Sequence, residues 1–302
     1  MRTHLTSLIT IVTVSLIFPA VTFGQRAANR AATAPAVDNR PFDRHDLSGY
    51  WSRGPERFLG PSVHCVNCGD RGFGPDVPPF TPEGQARFDS YKPSRGRLLG
   101  TADAAAHPEE HIGRRRAVVP ALANDPTTQC NPQGMPRIML FEPSPFEIVQ
   151  NKDRMFQFHE WSWVHREIWT DGRKLPDQID YLGRWMGYSV GKWEGDTFVV
   201  DSVGFDDRAW VDYYGYPQSD QMRLQERYRR TSYDTMELSM TITDPKYYTK
   251  PWVSETKRFK LIPKEKMAVE GWVGLLEDFC VPFDEIDTFN KEVRDPAGGI
   301  TH

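Results

Sequence analysis

Met236-Glu237-Leu238-Ser239-Met240-Thr241-Ile242 alternates apolar and polar residues without a break. Successive side chains of a strand point to opposite faces, so this heptapeptide is a strand with Met236, Leu238, Met240 and Ile242 on one face. Similar short runs stand on either side. Phe146–Gln150, Met155–Glu160, Trp163–Thr170, Gly187–Trp193 and Thr197–Val203 precede it, Met222–Arg230 leads into it, and Val253–Leu261 and Met267–Val273 follow. Turn signals separate them: Asn151-Lys152-Asp153, Asp171-Gly172, Glu194-Gly195-Asp196, Ser232-Tyr233-Asp234 and Pro263-Lys264-Glu265-Lys266. Consecutive strands joined by tight turns predict an antiparallel meander over residues 145–274. So many strands expose edges unless the sheet closes, which predicts a mainly β fold, a calycin- or lipocalin-like barrel.

Ahead of the meander the chain changes character. Residues 61–137 are rich in Gly and Pro and read as a loop-rich segment wrapping the barrel. One helix is expected there, with Thr81 as N-cap, Pro82 at the first helical position and Glu83–Tyr91 following; one or two short helices are expected in all. Residues 25–46 have no apolar period and read as a disordered leader. Residues 1–24 have the polar start, apolar core and small final residue of a signal peptide. No second apolar stretch is long enough to span a bilayer, so no stable membrane insertion is expected. The organisation predicted is therefore one barrel-like domain over 47–280 and a C-terminal tail over 281–302.

The 302 residues carry a formal net charge of −4. The one basic cluster, Arg114-Arg115-Arg116, is too short to indicate nucleic acid. Four cysteines in an exported chain indicate disulfides. Of three pairings, Cys65–Cys68 with Cys130–Cys280 is favoured, the second bond tying the wrapping segment to the end of the meander. Zinc at His64-Cys65-Val66-Asn67-Cys68 is the rival reading. Haem attachment is excluded, because Gly69 stands where the His of C-x-x-C-H belongs. No metal or cofactor is expected.

Charges that interrupt apolar rows mark a candidate site. Glu226 shares a face with Met222, Leu224 and Tyr228, Asp201 with Thr197, Val199 and Val203, and Arg166 with Val164 and Ile168. A buried charge is costly unless paired, so a polar network inside the barrel is expected. Read functionally, Arg166, Asp201 and Glu226 anchor a ligand's polar end, with His159 or His165 near the mouth. Trp163, Trp169, Trp210 and Tyr214 would cover its apolar part, the last two from the long aromatic connection Phe205–Asp220. The opposing reading makes the ions a structural pair or turns these faces outward. Catalytic candidates are His165, Asp201 and Glu226.

Leu47-Ser48-Gly49-Tyr50-Trp51 resembles the G-x-W start of lipocalins, in which the Trp plugs the barrel floor. A second resemblance spans residues 126–280. Cys130-Asn131-Pro132-Gln133-Gly134-Met135-Pro136-Arg137, Ile168-Trp169-Thr170-Asp171-Gly172-Arg173, Trp193-Glu194-Gly195-Asp196 and Thr249-Lys250-Pro251-Trp252 look like a group of uncharacterised secreted bacterial proteins. That resemblance implies export and brings no activity. Its members often read His-Pro-His-Ser where this chain has Tyr216-Pro217-Gln218-Ser219. Three functions follow in order: binding of a small, partly apolar ligand in a barrel pocket; a hydrolase, lyase or isomerase on the same scaffold; and a structural or interaction protein with a filled core. Ligand identity and oligomeric state are not encoded in any motif.

Overall fold

The computed structural model describes residues 38–53, 72–74, 76–93, 118, 122–140, 145–177, 183–262, 274–276, 280–282, 285 and 288. The strands are β1 Gly49–Ser52, β2 Phe146–Gln150, β3 Arg154–His159, β4 His165–Trp169 and β5 Tyr188–Glu194. They continue with β6 Thr197–Val203, β7 Arg223–Ser232, β8 Thr235–Thr243, β9 Trp252–Val253 and β10 Lys257–Leu261. Strands β1 to β8 are hydrogen-bonded in chain order, and β10 pairs with both β8 and β1. That double pairing closes a nine-stranded barrel and removes both free edges. Strand β9 pairs with the far end of β8 at Thr241 and Ile242. The fold is the mainly β barrel that the alternation predicts.

One pairing differs from a pure meander. Strands β4 and β5 run parallel, with Ile168 opposite Ser189 and Trp169 opposite Val190. A parallel pair needs a crossover, and residues 170–187 supply it. Elsewhere the turn signals act where expected. The β5–β6 hairpin turns at Gly195, whose φ of +58° suits glycine. The β7–β8 hairpin turns at Tyr233-Asp234 with a register shift between Arg230 and Ser232. The expected run Val253–Leu261 is divided between β9 and β10, and Met267–Val273 lies outside the described residues.

The core follows strand parity. Met236, Leu238, Met240 and Ile242 are all buried, as are Leu224 and Tyr228 on β7 and Phe198 and Val200 on β6. Trp51 is fully buried and donates its indole N–H to Leu47 O at 2.9 Å, with the Arg230 guanidinium 5.5 Å over its ring. Residues 38–46 run along the barrel: Arg44 pairs with Asp196 at 2.8 Å, and the His45 ring packs tilted against Trp193 at 4.4 Å. Helix α1, Pro82–Ser90, starts as expected, with the Thr81 hydroxyl accepting from Gly84 N at 3.0 Å. Cys130 and Cys280 form a disulfide across 150 residues, with Cα atoms 5.4 Å apart. Cys65 and Cys68 lie outside the described residues. Among the described residues no helix is long and apolar enough to cross a membrane.

Candidate functional site

Two regions carry chemistry, and both are built on β4. The first lies inside the barrel. Register places Gln157 of β3 beside Arg166, Ser189 of β5 beside Ser202 of β6, and Val200 beside Glu226 of β7. Opposed residues of an antiparallel pair share a face, so these side chains meet inside. Arg166 donates from Nη1 to Glu226 Oε1 at 3.0 Å and Gln157 Oε1 at 3.2 Å. Its Nη2 donates to Glu226 Oε2 at 2.5 Å and Ser202 Oγ at 2.8 Å, and its Nε to Ser189 Oγ at 3.1 Å. All five guanidinium N–H groups are thereby used. The Tyr228 hydroxyl donates to Glu226 Oε1 at 2.6 Å and accepts from Gln157 Nε2 at 3.0 Å. Burial opposes the Arg166 charge, but the Glu226 carboxylate holds its pKa above the ordinary value. The cluster is a saturated ion pair, with no donor of Arg166 left for a ligand.

Two of the three expected ionic residues meet here. Asp201 does not. It sits opposite Gln225 on the outer face and accepts from Gln225 Nε2 at 3.0 Å, so the inward placement of Asp201 is corrected. The neighbouring Ser202 holds the inward position instead. The reason is local: Phe198, Val199 and Val200 are all buried, so this run of three apolar residues carries no parity information. Gln157 was legible in the alternation Met155-x-Gln157-x-His159, whereas Ser189 and Ser202 are too small and mildly polar to mark a face.

His159 points inward on β3 and stacks on Phe146 at 5.4 Å. Its Nε2 is buried without a hydrogen-bond partner. Burial and, after it, the Arg166 charge push its pKa down to about 3, so the ring is neutral. His165 is exposed on β4, opposite Phe158. The two histidines therefore face opposite ways and do not converge. His165, Asp201 and Glu226 likewise form no catalytic group: Glu226 is inside and engaged by Arg166 and Tyr228, and the other two are outside on different strands.

The second region is a groove in the barrel wall. The β4–β5 ladder holds only two residue pairs, and ahead of them β4 and residues 183–187 are not paired. There an open groove of about 580 Å³ has Trp163, His165, Glu167, Trp169, Arg184, Trp185 and Tyr188 in its lining, and the buried Arg166, whose donors are already used, also borders it. Gly187 lies here with φ +67°, and a Cβ on it would stand 2.6 Å from the Phe205 ring. Trp163 is 51% exposed, and its backbone is unusual. Ser162 and Trp163 both adopt left-handed conformations, with φ of +58° and +51°. For residues with a Cβ that conformation costs about 1–2 kcal/mol each. Trp169 is covered by Arg173, 3.4 Å from its centroid, and Arg173 also donates to the Tyr188 hydroxyl at 3.2 Å. The groove thus combines aromatic walls with a polar rim. Sequence reasoning found Trp163, Trp169 and His165, but missed Arg184 and Trp185, which belong to no alternating run.

Trp210 and Tyr214 do not line the groove. Trp210 is buried and stacks on Tyr91 at 4.8 Å, and Tyr214 is buried as well. The 205–220 connection is core, not cover: residues 205–206 and 209–219 are all buried. Asp212 accepts from the backbone of Tyr214 at 2.8 Å and Phe73 at 3.2 Å, and burial raises its pKa to about 7. Tyr213 donates to Gln133 at 2.7 Å, and Arg137, paired twice with Asp125, lies 4.4 Å over the Tyr213 ring. Comparison of the chain with family models, curated proteins and solved structures gives no match.

Proposed function

We propose that this is a secreted or periplasmic barrel protein that binds a small, partly apolar ligand in the wall groove beside β4. The observation that carries the reading is Trp163. A large apolar side chain is held half-exposed over a concave surface by two consecutive left-handed residues, an arrangement that opposes stability and is retained at functional sites. The aromatic lining and few polar groups around it have the make-up of a small-molecule pocket. Export is supported by the leader-like residues 1–24 and the Cys130–Cys280 disulfide. The saturation of the Arg166 cluster supports a ligand position in the wall over one in the barrel interior. The test is native mass spectrometry of protein purified from its source. A small molecule should travel with the wild-type chain and be absent from Trp163→Gly; its retention by the variant would refute the groove.

A second reading is favoured by one observation. Leu276 is 54% exposed and bonds through its N–H to Glu160 Oε2 at 3.0 Å, and the Glu160 carbonyl accepts from Trp163 N–H at 3.4 Å. Such neighbouring apolar groups also suit a macromolecular partner. In that case a partner protein, and no small molecule, would be lost from Trp163→Gly.

A further inference from the structure

The groove is surrounded by five arginines, and four of them have a carboxylate partner. Arg154 pairs with Glu167 at 2.8 Å, Arg166 with Glu226 at 2.5 Å, Arg173 with Asp171 at 2.7 Å and Arg208 with Asp206 at 2.7 Å. Arg184 differs. Its side chain is exposed at the groove and makes no hydrogen bond or ion pair among the described residues. Its backbone, by contrast, is firmly held: the N–H donates to Gly204 O at 2.9 Å, and the carbonyl accepts from Asp206 at 3.0 Å and Gly187 at 3.2 Å. Gly183 packs so closely on Asp206 that a Cβ would stand 2.8 Å from its Cα. The chain thus fixes the base of Arg184, and no described residue engages its guanidinium.

The same contrast holds for the rings. Trp169 is covered by Arg173 at 3.4 Å and Trp185 by Arg208 at 4.9 Å, whereas the Trp163 ring has no ring or cation contact among the described residues. His165, also exposed on this wall, adds two more ring nitrogens and no negative charge. Glu167, the one lining carboxylate, is already neutralised by Arg154. A groove with one uncovered ring and one uncompensated cation is complementary to a planar apolar body bearing an anionic group.

Building on the groove reading above, we propose that the ligand is an aromatic or otherwise planar acid, its ring on Trp163 and its carboxylate or other anionic group on Arg184. Two probes with the same anilinonaphthalene body, one of them bearing a sulfonate, test this. 8-Anilinonaphthalene-1-sulfonate carries the anion, and N-phenyl-1-naphthylamine is its neutral counterpart. At low salt the wild-type protein should bind the sulfonate about fivefold more tightly than the amine, the ratio expected of one exposed charge pair. Arg184→Gln should abolish that preference while leaving the amine isotherm in place. Equal binding of the two probes by the wild type, or a preference that survives Arg184→Gln, overturns the proposal. Trp163→Gly separates the two levels of the argument. If it weakens both probes but no charge preference exists, only the anionic ligand is wrong; if it changes neither isotherm, the groove itself is wrong and the proposal falls with it.

Discussion

The two faces of β4 divide the labour of the molecule. Arg166 points inward into a cluster whose donors are all used, and its neighbours His165 and Glu167 point outward into a groove where, among the described residues, Arg184 has no partner and Trp163 no covering group. Both regions break a rule of strand sequences. The interior breaks the apolar row and repairs the breach completely; the wall breaks the backbone rule at Ser162 and Trp163 and repairs nothing. A buried charge is therefore weak evidence of function when its partners close around it. Unrelieved strain beside a concave aromatic surface is the better pointer.

The largest expected effect lies in the interior. Glu226→Gln should lower stability by about 3–5 kcal/mol, because it strands the Arg166 charge in a dry site. The pair replacement Arg166→Met with Glu226→Leu should recover most of that loss. Denaturant unfolding measures both, and a single variant that melts like wild type would make the interior an open, wet site.

Next in size is the pH response. His159 has its pKa lowered to about 3 in the fold against 6.5 when free. Its stabilising contribution is whole above pH 6.5 and falls as the unfolded chain takes up the proton, by about 1.4 kcal/mol per pH unit. Asp212 has the opposite sign. Raised to about 7 from 3.8, it contributes fully below 3.8, and that contribution is lost as pH rises through 7. Between 3.8 and 6.5 the two slopes oppose each other, so the wild-type profile should be nearly flat there. His159→Phe should then be progressively more stable relative to wild type as pH falls from 6.5 to 4, and Asp212→Asn should show the reverse trend. Parallel profiles for either variant would contradict its buried, proton-restricted state.

The smallest effect belongs to the groove. Ser162→Gly relieves one left-handed residue and should raise stability by about 1 kcal/mol, without weakening ligand binding. A destabilised Ser162→Gly would mean that the serine's own contacts outweigh its backbone strain.

The barrel was legible because its strands alternate cleanly: Met236 to Ile242 and Leu224 to Tyr228 show their buried faces in the letters alone. The parallel β4–β5 pair was not, since a crossover leaves no periodic mark and Asp171-Gly172 also reads as a hairpin turn. Within the site, Arg166 and Glu226 were legible as charges in apolar rows, and Asp201 was misplaced because Phe198–Val200 is buried at every position. Arg184 was invisible. Its significance is the lack of a partner among the described residues, and that is a property of three-dimensional neighbours, not of spacing. Trp210 and Tyr214 misled for a related reason, since an aromatic loop reads the same whether it folds over a ligand or into the core.

The division of labour between the faces of β4 is tested most directly by the binding isotherm of N-phenyl-1-naphthylamine to Trp163→Gly, taken with the melting temperature of the same sample. The groove account predicts an affinity lower by about tenfold with a melting temperature equal to or above that of wild type. Full affinity in a variant that melts normally would place the ligand elsewhere and contradict it.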